Sequence, residues 1–115
     1  MRRELLLIAE MIDAAEQASK LVDGLDVTAL AADRQRRDAL LWNCTVLREA
    51  AAQFDVAVKD RFPAIEWTRP TSLRNRVVHG YWSIDLEVLH TTAAELLPEF
   101  VQQLRAALAT LDAES

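Results

Sequence analysis

The chain has 115 residues, 51% of them hydrophobic, and a formal net charge of −5. That length suits a single domain, 1–115, and the acidic balance argues against a broad basic face for nonspecific nucleic-acid binding. No apolar run approaches the roughly 20 residues needed to cross a bilayer, and the signal-like start Met1-Arg2-Arg3-Glu4-Leu5-Leu6-Leu7-Ile8 is soon interrupted by Glu10 and Asp13, so a cytoplasmic location with no membrane association is expected.

Two Gly and three Pro in an Ala- and Leu-rich chain favour helices over turns. From Arg2 to about Val22, apolar residues at Leu5, Ile8, Ile12, Ala15 and Val22 form a helical stripe, with Glu4, Glu10, Asp13 and Glu16 mostly away from it. Gly24 is a stop signal, and residues 25–33 read as a short connection from which Leu25, Val27 and Leu30 could cap the core. Leu40, Cys44, Leu47, Ala51, Phe54 and Val58 then alternate steps of four and three, predicting one long helix from about Asp33 to Arg61. Cys44, the single cysteine, excludes an intrachain disulfide and reads as a buried structural thiol. Trp42 lies off that seam, which suggests a second neighbour such as another subunit. Phe62-Pro63 ends the helix.

A third helix is expected near Thr68, with the hydroxyl as N-cap and Pro70 in its first turn, fraying at Gly80. Ser83 or Asp85 would cap a fourth, with Leu86, Leu89, Ala93 and Leu96 or Leu97 inward. Pro98 either kinks that helix or opens a last one to about Leu111, carrying Val101, Leu104 and Leu108. The expected fold class is all-α, a four- to five-helix antiparallel bundle.

The chemistry concentrates in Arg74-Asn75-Arg76-Val77-Val78-His79-Gly80-Tyr81, inside a stretch from Trp67 to Ile84 without Asp or Glu. On a helix of about 100° per residue, Arg74, Asn75, His79 and Tyr81 share one side, and Arg76 points to the other. Asn75 and His79 are i,i+4 neighbours, so the amide can orient the ring. This set suits metal-independent RNA cleavage. A base takes the ribose 2′-OH proton, the oxygen attacks the adjacent phosphate, and an acid protonates the departing 5′ oxygen. Histidine is the natural proton carrier, and arginine stabilises the added negative charge. One His cannot easily serve both oxygens, whereas a two-fold homodimer would supply two His and two Arg. Arg69 and Arg76 are further candidates for RNA contact. No metal site is expected: His90 shares no ligand spacing with His79 and reads as structural. Trp67 and Trp82 read as packing residues, and Arg34-Arg36-Arg37 as a solvated helix start.

Arg74-Asn75-(three residues)-His79-Gly80-Tyr81 resembles the R-x4-6-H motif of the HEPN superfamily, in the R-N-x3-H-x-Y form of the HepT-like toxins. Pro63-Ala64-Ile65-Glu66-Trp67 resembles the family's P-x-I-x-W ahead of the motif. Ile84-Asp85, Leu97-Pro98-Glu99, Arg37-Asp38 and Glu49-Ala50 match further positions, although Arg48 stands where Gly is common. The resemblance implies an all-helical homodimer with a composite ribonuclease site at its interface, Arg74 and His79 catalytic and Asn75 supporting. It also implies neutralisation by an MntA-like minimal nucleotidyltransferase antitoxin, which transfers AMP from ATP to Tyr81. ATP then serves only as the antitoxin's AMP donor, and the chain itself needs no cofactor. The alternative is a non-catalytic HEPN-like module that docks a nucleotidyltransferase or binds nucleotide.

Overall fold

A computed structural model describes residues 2–68 and 86–114. The chain belongs to the all-α class: every regular element among those residues is helical. Helix α1, Arg2–Val22, has the predicted span and buries Leu7, Ile8, Met11, Ile12, Ala14, Ala15, Ala18 and Val22. Its Ala positions let neighbouring helices approach on two sides, so it lies between α3 (Arg34–Gln53) and α6 (Leu97–Ala113). Gly24 ends this first leg at φ +74°, a backbone region that L side chains rarely adopt. The α1–α3 pair is antiparallel. Glu4 reaches the far end of α3 through the backbone amide of Asp55, while Arg36 at the near end donates to the Leu21 carbonyl.

Residues expected to form a plain connection include a helix, α2 (Val27–Ala32). Asp26 accepts from the Ala29 amide at 2.8 Å and starts it, and Asp33 ends it while capping α3 through the Arg36 amide at 3.1 Å. Leu30 is fully buried, as its core-capping role requires.

The long helix expected to reach Arg61 stops at Gln53. Phe54 and Asp55 are extended, and a single turn, α4 (Val56–Lys59), follows. Two carboxylates account for the break. Asp55 caps α4 by accepting from the Ala57 amide at 2.8 Å, and Glu4 of α1 accepts the Asp55 amide at 3.2 Å. Glu4 is therefore buried, contrary to its expected place away from the apolar stripe. The seam survives the break because Phe54 and Val58 still reach the core.

Helix α5, Leu86–Thr91, continues through a π-helical turn, Thr92–Leu96, into α6. Pro98 sits in the first turn of α6 and explains the π-turn. Having no N–H, it cannot donate to the carbonyl of Ala94, four residues back, or of Ala93, five back. The Leu97 amide bonds the Thr92 carbonyl instead, and the Ser19 hydroxyl of α1 donates to the Ala93 carbonyl at 2.8 Å. Of the two leucines that could face inward, Leu97 is buried and Leu96 is partly exposed. Phe100, Val101, Leu104, Ala107 and Leu111 complete the α6 stripe, and Leu108 is half-buried. Arg105 pairs with Glu16 at 2.6 Å, so α6 runs antiparallel to α1.

Candidate active site

The acid-free window is approached through a small aromatic cluster. Phe54, turned inward by the break after α3, stacks on Trp67 with ring centroids 5.1 Å apart and an interplanar angle of 20°. The Trp67 indole N–H donates to the Phe62 carbonyl at 3.1 Å. Ile65 is buried between these aromatics in sequence, and Gln103 of α6 donates to the Ala64 carbonyl at 3.3 Å. The Pro63-Ala64-Ile65-Glu66-Trp67 string therefore has a physical content. Proline keeps the helix from resuming, isoleucine and tryptophan fasten this run of turns to the core, and Ala64 and Glu66 face water. Trp67 is a packing residue, as expected.

On the far side of the window, α5 packs against α2. His90 of α5 hydrogen-bonds through Nε2 to the Leu25 carbonyl in the turn after α1. This is the structural role the sequence suggested, and it commits the second histidine of the chain to the fold. The six site candidates, Arg69, Arg74, Asn75, Arg76, His79 and Tyr81, lie outside the described residues, as do Pro70, Gly80, Trp82, Ser83 and Asp85. What the structure supplies is the pair of anchors from which residues 69–85 depart and to which they return.

The other candidates resolve in favour of structure. Arg34 pairs with Asp38 at 3.5 Å and Arg36 with Asp33 at 3.3 Å, while Arg37 donates to the Ala31 carbonyl at 3.1 Å. Arg36 and Arg37 tie the ends of α1 and α2 to the start of α3. Arg48, which replaces a common Gly, reaches Glu49 at 2.7 Å. Burial pushes the Cys44 thiol up to about 12, so it is neither a nucleophile nor a metal ligand at neutral pH. Among the described residues no group of His, Cys, Asp and Glu could hold a metal ion, and no helix is long and apolar enough to cross a membrane.

Among the described residues, hollows flank the helices. A groove of about 440 Å³ between α1 and α6 is lined by Ser19, Pro98 and Val101 and by the Arg105–Glu16 pair. A smaller cleft of about 170 Å³ carries Glu66 and Glu99, two carboxylates that would repel a phosphate. The groove also carries Lys20 and Gln102, and neither hollow is lined by a histidine among the described residues. Sequence reading missed Glu4, Ser19 and Asp55, whose side chains shape the scaffold. Only Asp55 had a local signal, as an acidic residue beside a helix start.

Comparison with known proteins covers most of the chain. The family described as Ribonuclease HepT-like matches residues 11–107. A protein of Methanocaldococcus jannaschii named "Putative RNase MJ1380" is 20% identical over 83% of this chain and 87% of its own length. One of Thermococcus cleftensis named "Probable ribonuclease HepT" is 25% identical over 79% of this chain and 80% of its own length. No solved structure gives a significant match. With a family match that runs from the middle of α1 almost to the end of α6, the chain belongs to the HepT-like ribonuclease family of the HEPN superfamily.

Proposed function

We propose that the protein is the toxin of a toxin–antitoxin pair, a metal-independent endoribonuclease working as a homodimer. The observation that carries this reading is the intact Arg74-Asn75-(three residues)-His79 string inside the family-matched region. His79 takes the 2′-OH proton, and the freed oxygen attacks the adjacent phosphorus. Arg74 offsets the extra charge of the pentacovalent phosphate, and Asn75 orients the imidazole. The partner copy's histidine protonates the departing 5′ oxygen, leaving a 2′,3′-cyclic phosphate and a 5′-hydroxyl. His90 supports the need for a second copy, because its ring is held by Leu25 and is not free to act as the second proton carrier. Neutralisation follows when an MntA-like antitoxin moves AMP from ATP to the Tyr81 oxygen, with pyrophosphate leaving. The added bulk and negative charge then compete with RNA for Arg74.

The test is RNA cleavage by purified protein in EDTA. His79→Ala should lower the rate by about 10²–10⁴-fold, the usual contribution of a positioned proton carrier. Equal cleavage by parent and variant would remove His79 from the mechanism. Intact mass after incubation with the nucleotidyltransferase and ATP should show adenylyl increments that Tyr81→Phe abolishes. The net charge of −5 favours a second reading, a non-catalytic module that docks a nucleotidyltransferase. A dimer that binds the nucleotidyltransferase and leaves every RNA intact would support it.

A further inference from the structure

Trp42 is 67% exposed, an unusual state for tryptophan and the largest apolar side chain exposed among the described residues. It sits in the middle of α3, about 170° around the helix from the buried seam of Leu40, Cys44, Leu47 and Ala51. Neither α1 nor α2 covers that side. Ala39, Thr45 and Val46 flank it, and Asp38, four residues before it, pairs with Arg34 at 3.5 Å. Arg34 lies eight residues before Trp42, with its side chain 80% exposed, and Glu49 lies seven residues after it, 57% exposed. A helix with opposite charges at nearly equal offsets from a central tryptophan is complementary to itself when a second copy runs antiparallel.

We infer that the second copy docks on this face, with the two-fold axis passing beside Trp42 and the two α3 helices crossing antiparallel. In that register each residue 42+n faces residue 42−n of the partner, so Glu49 lies against Gln35 and next to Arg34 of the other chain. The intrachain Arg34–Asp38 pair lies on the surface, is of small worth and exchanges readily for contacts across the axis, and Glu49 is the exposed partner of a mostly buried Arg48. Trp42 supplies the central anchor, the position where tryptophan contributes most at interfaces. Asp38 and Glu49 on the same face disfavour RNA as its occupant, since both would oppose phosphate. This inference rests on the reading of the site as one that two copies complete.

Sedimentation or light scattering across a dilution series tests it. Trp42→Ala should weaken self-association by about tenfold or more, as removal of a central interface anchor does. Arg34→Glu and Glu49→Arg should each weaken association, and the double charge reversal should restore it. A second measurement does not depend on affinity. Helices crossing at about 8–10 Å bring facing Cα atoms within disulfide reach, so Trp42→Cys should form a symmetric cross-link on oxidation. Cys44 stays silent in that experiment because it is buried. A monomeric parent, an unchanged dimer in Trp42→Ala, or absence of the cross-link would overturn the interface. A fall in RNA affinity with unchanged association would also overturn it, by assigning Trp42 to base stacking. If the dimer depends on Trp42 but cuts no RNA, the interface stands and the ribonuclease reading falls; His79-dependent cleavage by a dimer indifferent to Trp42 gives the reverse.

Discussion

At the scale of single residues, burial rather than charge decides which reactive groups are silent. Cys44 illustrates it: desolvation disfavours the thiolate and raises the thiol from an ordinary value near 9 to about 12. Reaction with a thiol reagent at neutral pH should therefore be slow in the native protein and fast after unfolding, and equal rates would place Cys44 at the surface. The linkage has a definite sign. Because the folded value is raised, the stabilising difference is fully present below about pH 9 and is lost as pH rises towards 12, where the folded thiol also ionises. Melting curves should show a steeper alkaline decline for the parent than for Cys44→Ala. Burial of this thiol was legible in the sequence, since it sits on a seam of alternating four- and three-residue steps. Arg61 and Glu114 were not. Their paired guanidinium and carboxylate hold Glu114 below the ordinary carboxylate range and Arg61 above its own, through partners 53 residues apart. Periodicity carries no signal for such a contact, and both groups are exposed, so the pair has little influence on stability.

At the scale of elements, the departures from the expected helices come from side chains that take over backbone hydrogen bonds. The apolar seam continued smoothly from Leu40 to Val58 and predicted one helix, but Glu4 captures the Asp55 amide and Asp55 captures that of Ala57. Glu4→Ala should leave a part-buried amide without its acceptor and cost about 1–3 kcal/mol, measured by urea denaturation. Pro98 and Ser19 form a second such couple. Ser19→Ala should cost about 1–2 kcal/mol in the parent, because the Ala93 carbonyl loses its donor. In a Pro98→Ala background the restored amide can serve that region of the helix, so the penalty should shrink. Additive effects in this double-mutant cycle would show that the serine and the proline are not linked. The sequence revealed that Pro98 interrupts the helix. It could not reveal how, because the compensating hydroxyl lies on α1.

At the scale of the whole molecule, the bundle order follows from α1, whose small and large apolar residues serve two neighbours at once. Leu47 of α3 and Leu104 of α6 are fully buried on either side of the core. Truncating Leu47 or Leu104 to alanine should destabilise the fold by about 2–5 kcal/mol, read as a lower denaturant midpoint with little change in slope. The all-α class was readable from periodicity, and the absence of carboxylates between Trp67 and Ile84 is the sequence pattern on which the proposed site rests. The pairing of helices was not, because it depends on contacts such as Ser19 to Ala93 and Glu16 to Arg105, 74 and 89 residues apart. Those separations also set an order of events during synthesis. Helix α1 is synthesised before α6, so its second flank stays uncovered until α6 has emerged, and the bundle cannot fold stably piece by piece. A nascent chain stalled before Leu97 should present an uncovered α1 stripe and stay protease-sensitive or bound to a chaperone. Protection should arrive abruptly once Leu111 has emerged.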